Sequence, residues 1–249
     1  MMINNILQQL DKAFPISKDE VSEDYWKDKV DYFSNELKDV SDILFGLAGV
    51  NLPSRIFKES KIEYIDYLEP VSNVSTVRFR PQNEYYKNST LEIPRPENPN
   101  GNDATGIELR LSLYRGCERN NQPIPPSFCI AFNVWGFNER EAFKNTLFDY
   151  RRPIELLIKK LDLNVETSCW FDNCKTYKGN NIIKKLDLYF QNEDPESNIS
   201  LERDFAFNAD VQHIMNVFLS LLTLYDSCYG YAKQPRDKNR ILHTKLLKD

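Results

Sequence analysis

Two stretches of this chain set arginines among tyrosines. Arg78 and Arg80 precede Tyr85, Tyr86 and Lys87, and Arg110, Tyr114 and Arg115 form a second group. A guanidinium fork grips phosphate through paired N–H donors, and a tyrosine ring stacks on a nucleobase. The alternation therefore fits a surface that binds nucleic acid or another protein. Glu84, Glu108 and Glu118 lie among these residues and weaken the positive field. Cross-strand Glu–Arg pairing on a solvated sheet face is the plainer use of the same side chains. The balance of 32 basic against 37 acidic residues, net −5, also disfavours a polyanion partner.

Catalytic signatures are sparse. The sequence has no GxxxxGK[ST] loop for nucleotide phosphates and no GxGxxG. It has no GxSxG elbow and no HExxH zinc helix. His213 sits beside Ile214 and Met215 and reads as a helix-face or core histidine, while His243 lies in a basic tail. Cys228 is some four turns from His213 on one helix, too far for proton transfer. The five cysteines (Cys117, Cys129, Cys169, Cys174, Cys228) are odd in number and irregular in spacing, so reduced thiols are expected. Cys169-x4-Cys174 has no second ligand pair, so no metal site is assigned. Arg151-Arg152-Pro153 is a second basic spot, which Asp149 and Glu155 can neutralise from adjacent turns.

The elements that must position these groups follow from periodicity. Ile3, Ile6, Leu7, Leu10 and Phe14 recur at helical spacing over 3–14, and Pro15 ends that helix. Ser22 caps a second helix over about 22–40, with Ser41 to Ala48 as a third helical piece and Gly49 as a stop. Residues 62–68 fit strand and helix equally. Val77-Arg78-Phe79-Arg80 alternates as a strand, and a long Pro- and Asn-rich loop spans about 81–106. The clearest strand is 107–115, with four aliphatics on one face and Glu108, Arg110, Ser112 and Tyr114 on the other. Ser127 to Trp135 is apolar almost throughout and reads as a central strand covered on both faces. Asn138 with Glu141 resembles a capping box for a helix over 139–150, and Pro153 suits the first turn of another over 153–162. A strand over 165–171 is expected to pair with 181–190 through a turn at Lys178-Gly179-Asn180-Asn181. Residues 191–204 read as loop. Asn208 caps a last helix, about 209–231, whose Val211, Ile214, Met215, Phe218, Leu221, Leu222 and Tyr225 are assigned to the core.

This pattern predicts an α+β fold: N-terminal helices, then a mostly antiparallel sheet in β-β-α-β-β-α order with helices on one face. The expected division is an acidic helical region 1–70 with 8 basic and 14 acidic residues, a core 71–232, and a basic tail 233–249 with 6 and 2, or else all one domain. The tail (Lys233, Arg236, Lys238, Arg240, Lys245, Lys248) can bind phosphates, although a solvated terminus is the simpler reading.

The order helix, three strands, helix, strand is similar to the core of the PD-(D/E)xK nucleases. That resemblance of element order implies carboxylates holding Mg²⁺ and a lysine that helps activate water. Glu108 supplies a first acid, but Ser127 to Trp135 holds neither acid nor lysine. Glu59-Ser60-Lys61 precedes the confident strands, Asp28-x-Val30 has valine where the motif needs lysine, and Asp187 sits alone in Lys185-Leu186-Asp187-Leu188-Tyr189. Two function classes follow. One is a non-catalytic binding or adaptor protein without cofactor, acting on another protein or on nucleic acid. The other is a Mg²⁺-dependent nuclease with a scattered active site and Glu108 as first metal ligand. The high Asn and Lys content fits an AT-rich genome, with prokaryotic (phage) defence or a mobile element as the expected setting. With no apolar run of about 18 residues and no signal-peptide pattern at Met1-Met2-Ile3, a cytoplasmic protein without membrane spans is expected.

Overall fold

A computed structural model describes residues 2–15, 22–49, 54–57, 73–79, 106–119, 121–135, 137–169, 172–177, 186–187, 190 and 198–231. The residues fall into two compact units. The first comprises Met1–Arg78, Arg110–Ile130 and Asp204–Met215, and the second Phe79–Leu109, Ala131–Arg203 and Asn216–Asp249. The division falls inside four strands and one helix. The fold class is as expected: α+β, with N-terminal helices followed by a mostly antiparallel sheet.

In the first unit, α1 (Met2–Ala13) buries Ile6, Leu7 and Leu10, one stripe at 3–4 spacing. Phe14, just beyond it, packs edge-on against Tyr25 at 5.8 Å and lies 6.2 Å from Phe33. Both partners belong to α2 (Glu23–Ala48), and the Tyr25 hydroxyl also donates to the Ala13 carbonyl at 2.8 Å. Ser22 caps α2 as expected, its Oγ accepting from the Tyr25 N–H at 3.3 Å. The separate piece over 41–48 is instead a continuation of α2. Ser41 donates back to the Lys38 carbonyl at 2.7 Å, which satisfies its hydroxyl within an unbroken helix. Gly49 ends α2 in the left-handed region at φ 67°, its N–H donating to the Gly46 carbonyl at 3.1 Å.

The main sheet has seven strands: β1 (Ser54–Phe57), β2 (Asn73–Phe79), β3 (Gly106–Tyr114), β6 (Ser127–Trp135), β9 (Asn198–Phe205), β7 (Asn164–Cys169) and β8 (Asp172–Tyr177), in that spatial order. A small hairpin, β4 (Cys117–Arg119) with β5 (Gln122–Ile124), inserts between β3 and β6, and Asn121 turns it at φ 57°. β6 is central, and Phe128 through Val134 are all buried, so the reading of a strand covered on both faces holds.

In the second unit, α3 (Phe137–Asp149) takes in Asn138 in its first turn. Glu141 pairs with Lys144 at 3.4 Å on that helix. α4 (Arg151–Lys160) carries Pro153 in its first turn, where a missing N–H costs nothing. Its end is a Schellman turn: the Leu163 N–H donates to the Ile158 carbonyl at 3.0 Å and the Asp162 N–H to Lys159 at 3.3 Å. Asp162 is left-handed at φ 50°, and Arg203 of β9 donates to both its carbonyl and its carboxylate. Phe143 stacks edge-on with Phe132 at 5.6 Å and meets Phe190 at 5.8 Å.

Three expectations are overturned here. The hairpin partner of β7 is Asp172–Tyr177, with Val165 opposite Tyr177 and a register shift between Thr167 and Cys169. Leu186, Asp187 and Phe190 are helical, so 181–190 is not that strand. Ile182, Leu186 and Tyr189 share helical spacing while Leu186, Leu188 and Phe190 alternate as in a strand, so both periods fit the run. The expected loop 191–204 contains β9, antiparallel to β7 with Asn164 opposite Glu202 and Ser168 opposite Asn198. Its alternation of Ile199, Leu201 and Phe205 with polar residues was a legible signal, outweighed by the acidic stretch before it.

The last helix, α5 (Val211–Tyr231), runs through both units. Its cap is Asp210, whose Oδ1 accepts from the Gln212 N–H at 3.1 Å. Asn208 sits at φ 64°, outside the helix, and donates its N–H to Asn4 Oδ1 at 3.0 Å. Ile214, Phe218, Leu221, Leu222 and Tyr225 are buried as expected, but Val211 is exposed because it precedes the first full turn. Residues 62–68, most of the 81–106 loop, Lys178–Lys185 and the 233–249 tail lie outside the described residues.

The two glycines of α2 make a paired test. Nothing lies within 4 Å of a methyl added at Gly46 or Gly49, so only backbone conformation separates them. Gly49→Ala is expected to lower stability by about 1 kcal/mol because alanine resists positive φ. Gly46→Ala, inside the helix, is expected to raise it by about 0.5–1 kcal/mol. Urea midpoints at constant slope measure both.

Candidate functional site

β3 carries Arg110, Ser112 and Tyr114 on one face and Leu109, Leu111 and Leu113 on the other. The leucines are buried, as their apolar nature requires. The polar face departs from a solvated surface, because Ser112 is also fully buried. Arg110 and Tyr114 are half-buried and flank it, and the Arg110 Nε is itself buried. Arg115 follows the strand and is only 6% exposed, engaged by its surroundings. It belongs to the architecture of the first unit more than to its surface.

The sheet order makes β2 the direct neighbour of β3. Arg78 of β2 thus stands on the strand beside Arg110 and Tyr114, joined to them only through residues 80–105. The side chain of Arg78 lies outside the described set, as do Arg80, Tyr85, Tyr86 and Lys87. Glu108 lies within β3, and its side chain is likewise not described. Four of the nucleic-acid candidates, Arg78, Arg110, Tyr114 and Arg115, therefore belong to one pair of neighbouring strands and the residue that follows.

Among the described residues, no three His, Cys, Asp or Glu side chains are grouped as a metal ion would need. Asp187, weighed as a migrated metal ligand, forms an ion pair with Arg151 at 2.6 Å. That pair also engages one arginine of the Arg151-Arg152 spot. His213 packs its ring edge-on against Phe205 at 5.7 Å, the aromatic contact expected of a helix-face histidine. Cys129 and Cys228 are buried free thiols and Cys117 a half-buried one.

The sequence reading missed a buried polar pair on β9. The Ser200 hydroxyl donates to Glu202 Oε2 at 3.0 Å, and both are buried. Their i, i+2 spacing was visible once β9 is recognised as a strand. Two further groups shift in acidity on α2. Burial, then the Glu36 carboxylate and its hydrogen bond, push the Tyr32 phenol above its usual range, against a lowering hydrogen bond from Gln9. The bonded Asp42 carboxylate raises the Lys38 ammonium.

Compared with known proteins, the chain matches no family model, no curated protein and no solved structure. Among the described residues no helix is long and apolar enough to cross a membrane.

The burial difference between the two arginines is testable. Arg115→Ala is expected to cost about 2–3 kcal/mol, because it strips the partner from buried polar groups. Arg110→Ala, half-exposed, is expected to cost under about 1 kcal/mol. Equal losses in urea denaturation would show that Arg115 has no special structural role.

Proposed function

We propose that this protein is a non-catalytic binding or adaptor protein whose β2–β3 face engages a phosphate-bearing partner of the nucleic-acid type. The observation that carries the reading is the adjacency of β2 and β3. Neighbouring strands lie about 4.8 Å apart, so arginines on both fall within reach of one stretch of phosphodiester backbone. Tyr114, on the face of Arg110, supplies a ring for base stacking beside the guanidiniums. The contribution of Arg115 is indirect, through the position of the strand end. Arg80, Tyr85, Tyr86 and Lys87 extend the same surface in this reading. The overall charge of −5 makes the interaction dependent on this local field and sensitive to salt.

Fluorescence anisotropy with labelled single- and double-stranded DNA and RNA tests the reading. Affinity should fall as salt rises. Arg78→Glu combined with Arg110→Glu should weaken binding at least about tenfold while the circular dichroism spectrum is kept. A folded double variant that binds as well as wild type, or a wild type that binds none of the four, removes the proposal. Strand cleavage that appears only with Mg²⁺ would replace it with the nuclease reading and direct attention to Glu108.

A further inference from the structure

Seven large apolar side chains are strongly exposed among the described residues, and five of them fall in two patches of opposite charge. The first patch is a groove in the first unit, a cavity of about 100 Å³ walled by α1, α2 and the start of α5. Val40, Leu44 and Ile214 form its buried floor, and Ile43, Leu47 and Val211 its rim at 48%, 67% and 55% exposure. On the helical wheel of α2, Glu36 and Asp39 continue the edge that Ile43 and Leu47 occupy. Asp42 follows beside them, and Asp210 stands at the start of the α5 wall. Lys38 pairs with Asp42 at 2.5 Å, so the groove is apolar inside and acidic in balance around it.

The second group belongs to the second unit: Phe148 in the last turn of α3 and Leu156 on α4, the helix that follows. Phe148 is 85% exposed and Leu156 58%. Arg152, Leu156, Lys159 and Lys160 share the outer face of α4 at i, i+4, i+7 and i+8, opposite the buried Ile154 and Ile158. Lys159 pairs with Glu155 at 2.9 Å, while Arg152 and Lys160 have no ion-pair partner among the described residues. The segment around Phe148 and Leu156 carries Arg151, Arg152, Lys159 and Lys160 against Asp149 and Glu155, so it is basic in balance.

From this complementarity we infer that the groove of one copy receives the Phe148–Leu156 segment of a second copy, making the chain self-associate. A space of this size admits a ring or a branched aliphatic side chain, which suits Phe148 as the plug. The basic residues of α4 then face Glu36, Asp39 and Asp210, and opposite fields favour this pairing over groove-to-groove contact. The contact joins two different surfaces, so each copy offers one half of it to the other. With five apolar anchors and a charged rim the association is weak and concentration-dependent. It uses none of the β2–β3 residues, so it stands apart from the nucleic-acid reading.

Sedimentation equilibrium from about 1 to 300 µM reads the association as a rise in mass above 29.3 kDa. Phe148→Asp alone and Leu47→Asp alone should each hold the protein at monomer mass. An equimolar mixture of the two variants should associate again, because one keeps the groove and the other the segment. Both positions are exposed, and an unchanged melting temperature confirms that folding is kept. The inference is overturned by a wild type that stays monomeric throughout, by a mixture that does not associate, or by either single variant associating like wild type. Symmetric pairing of two grooves would show itself as association by Phe148→Asp but not by Leu47→Asp, and would equally overturn it.

Discussion

β6 has no solvent face. Phe128, Cys129, Ile130, Ala131, Phe132, Asn133 and Val134 are all buried, on alternate sides of one strand. Such a strand is stable only if its two neighbours pair every backbone group and other elements cover both of its surfaces. β3 and β9 supply the pairing. Phe205 meets Phe128 in a near-parallel stack at 6.3 Å, and Phe143 meets Phe132 edge-on. These contacts oblige β9 to exist even though an acidic, polar stretch precedes it in sequence. The same demand explains why Ser112 of β3 is buried: a strand beside the central one shares its cover.

What could be read from the chain alone follows from that hierarchy. The helix at 2–13 and the start and stop of the helix at 23–48 declared themselves, because one stripe of each is apolar and Pro15, Ser22 and Gly49 act locally, although the join at Ser41 did not. β6 declared itself by having no polar stripe at all. The misread segments were those where two periods fit the same letters, as in 181–190, or where a cap had several applicants. Asn208 and Asp210 are both good caps by type. The choice fell to Asp210 because Asn208 is held in a left-handed turn with its N–H on Asn4, a partner over two hundred residues away. No local rule contains that contact.

The candidate site was legible as residue types and illegible as a surface. Alternation placed Arg110, Ser112 and Tyr114 on one face of the strand. Alternation could not say that Ser112 between them would be covered, or that Arg115 would turn inward. Burial of a polar strand face depends on what is laid over it, which is a property of the whole fold. The adjacency of β2 to β3 was equally beyond local reading, since sequence distance between Phe79 and Gly106 says little about pairing.

The exposed apolar residues point the same way. Phe148 and Leu47 look alike in sequence to their buried neighbours Leu147 and Leu44, one helical position or one turn away. Only packing separates them, and packing leaves the exposed ones next to charge of opposite sign in the two patches. An apolar side chain left in water costs free energy that nothing in the described monomer recovers. Clustering of such costs beside charge of one prevailing sign is the physical mark of a surface that is completed by something else. On this chain the two clusters complete each other in chemistry, which is why a second copy is the economical occupant and an unknown partner is not required.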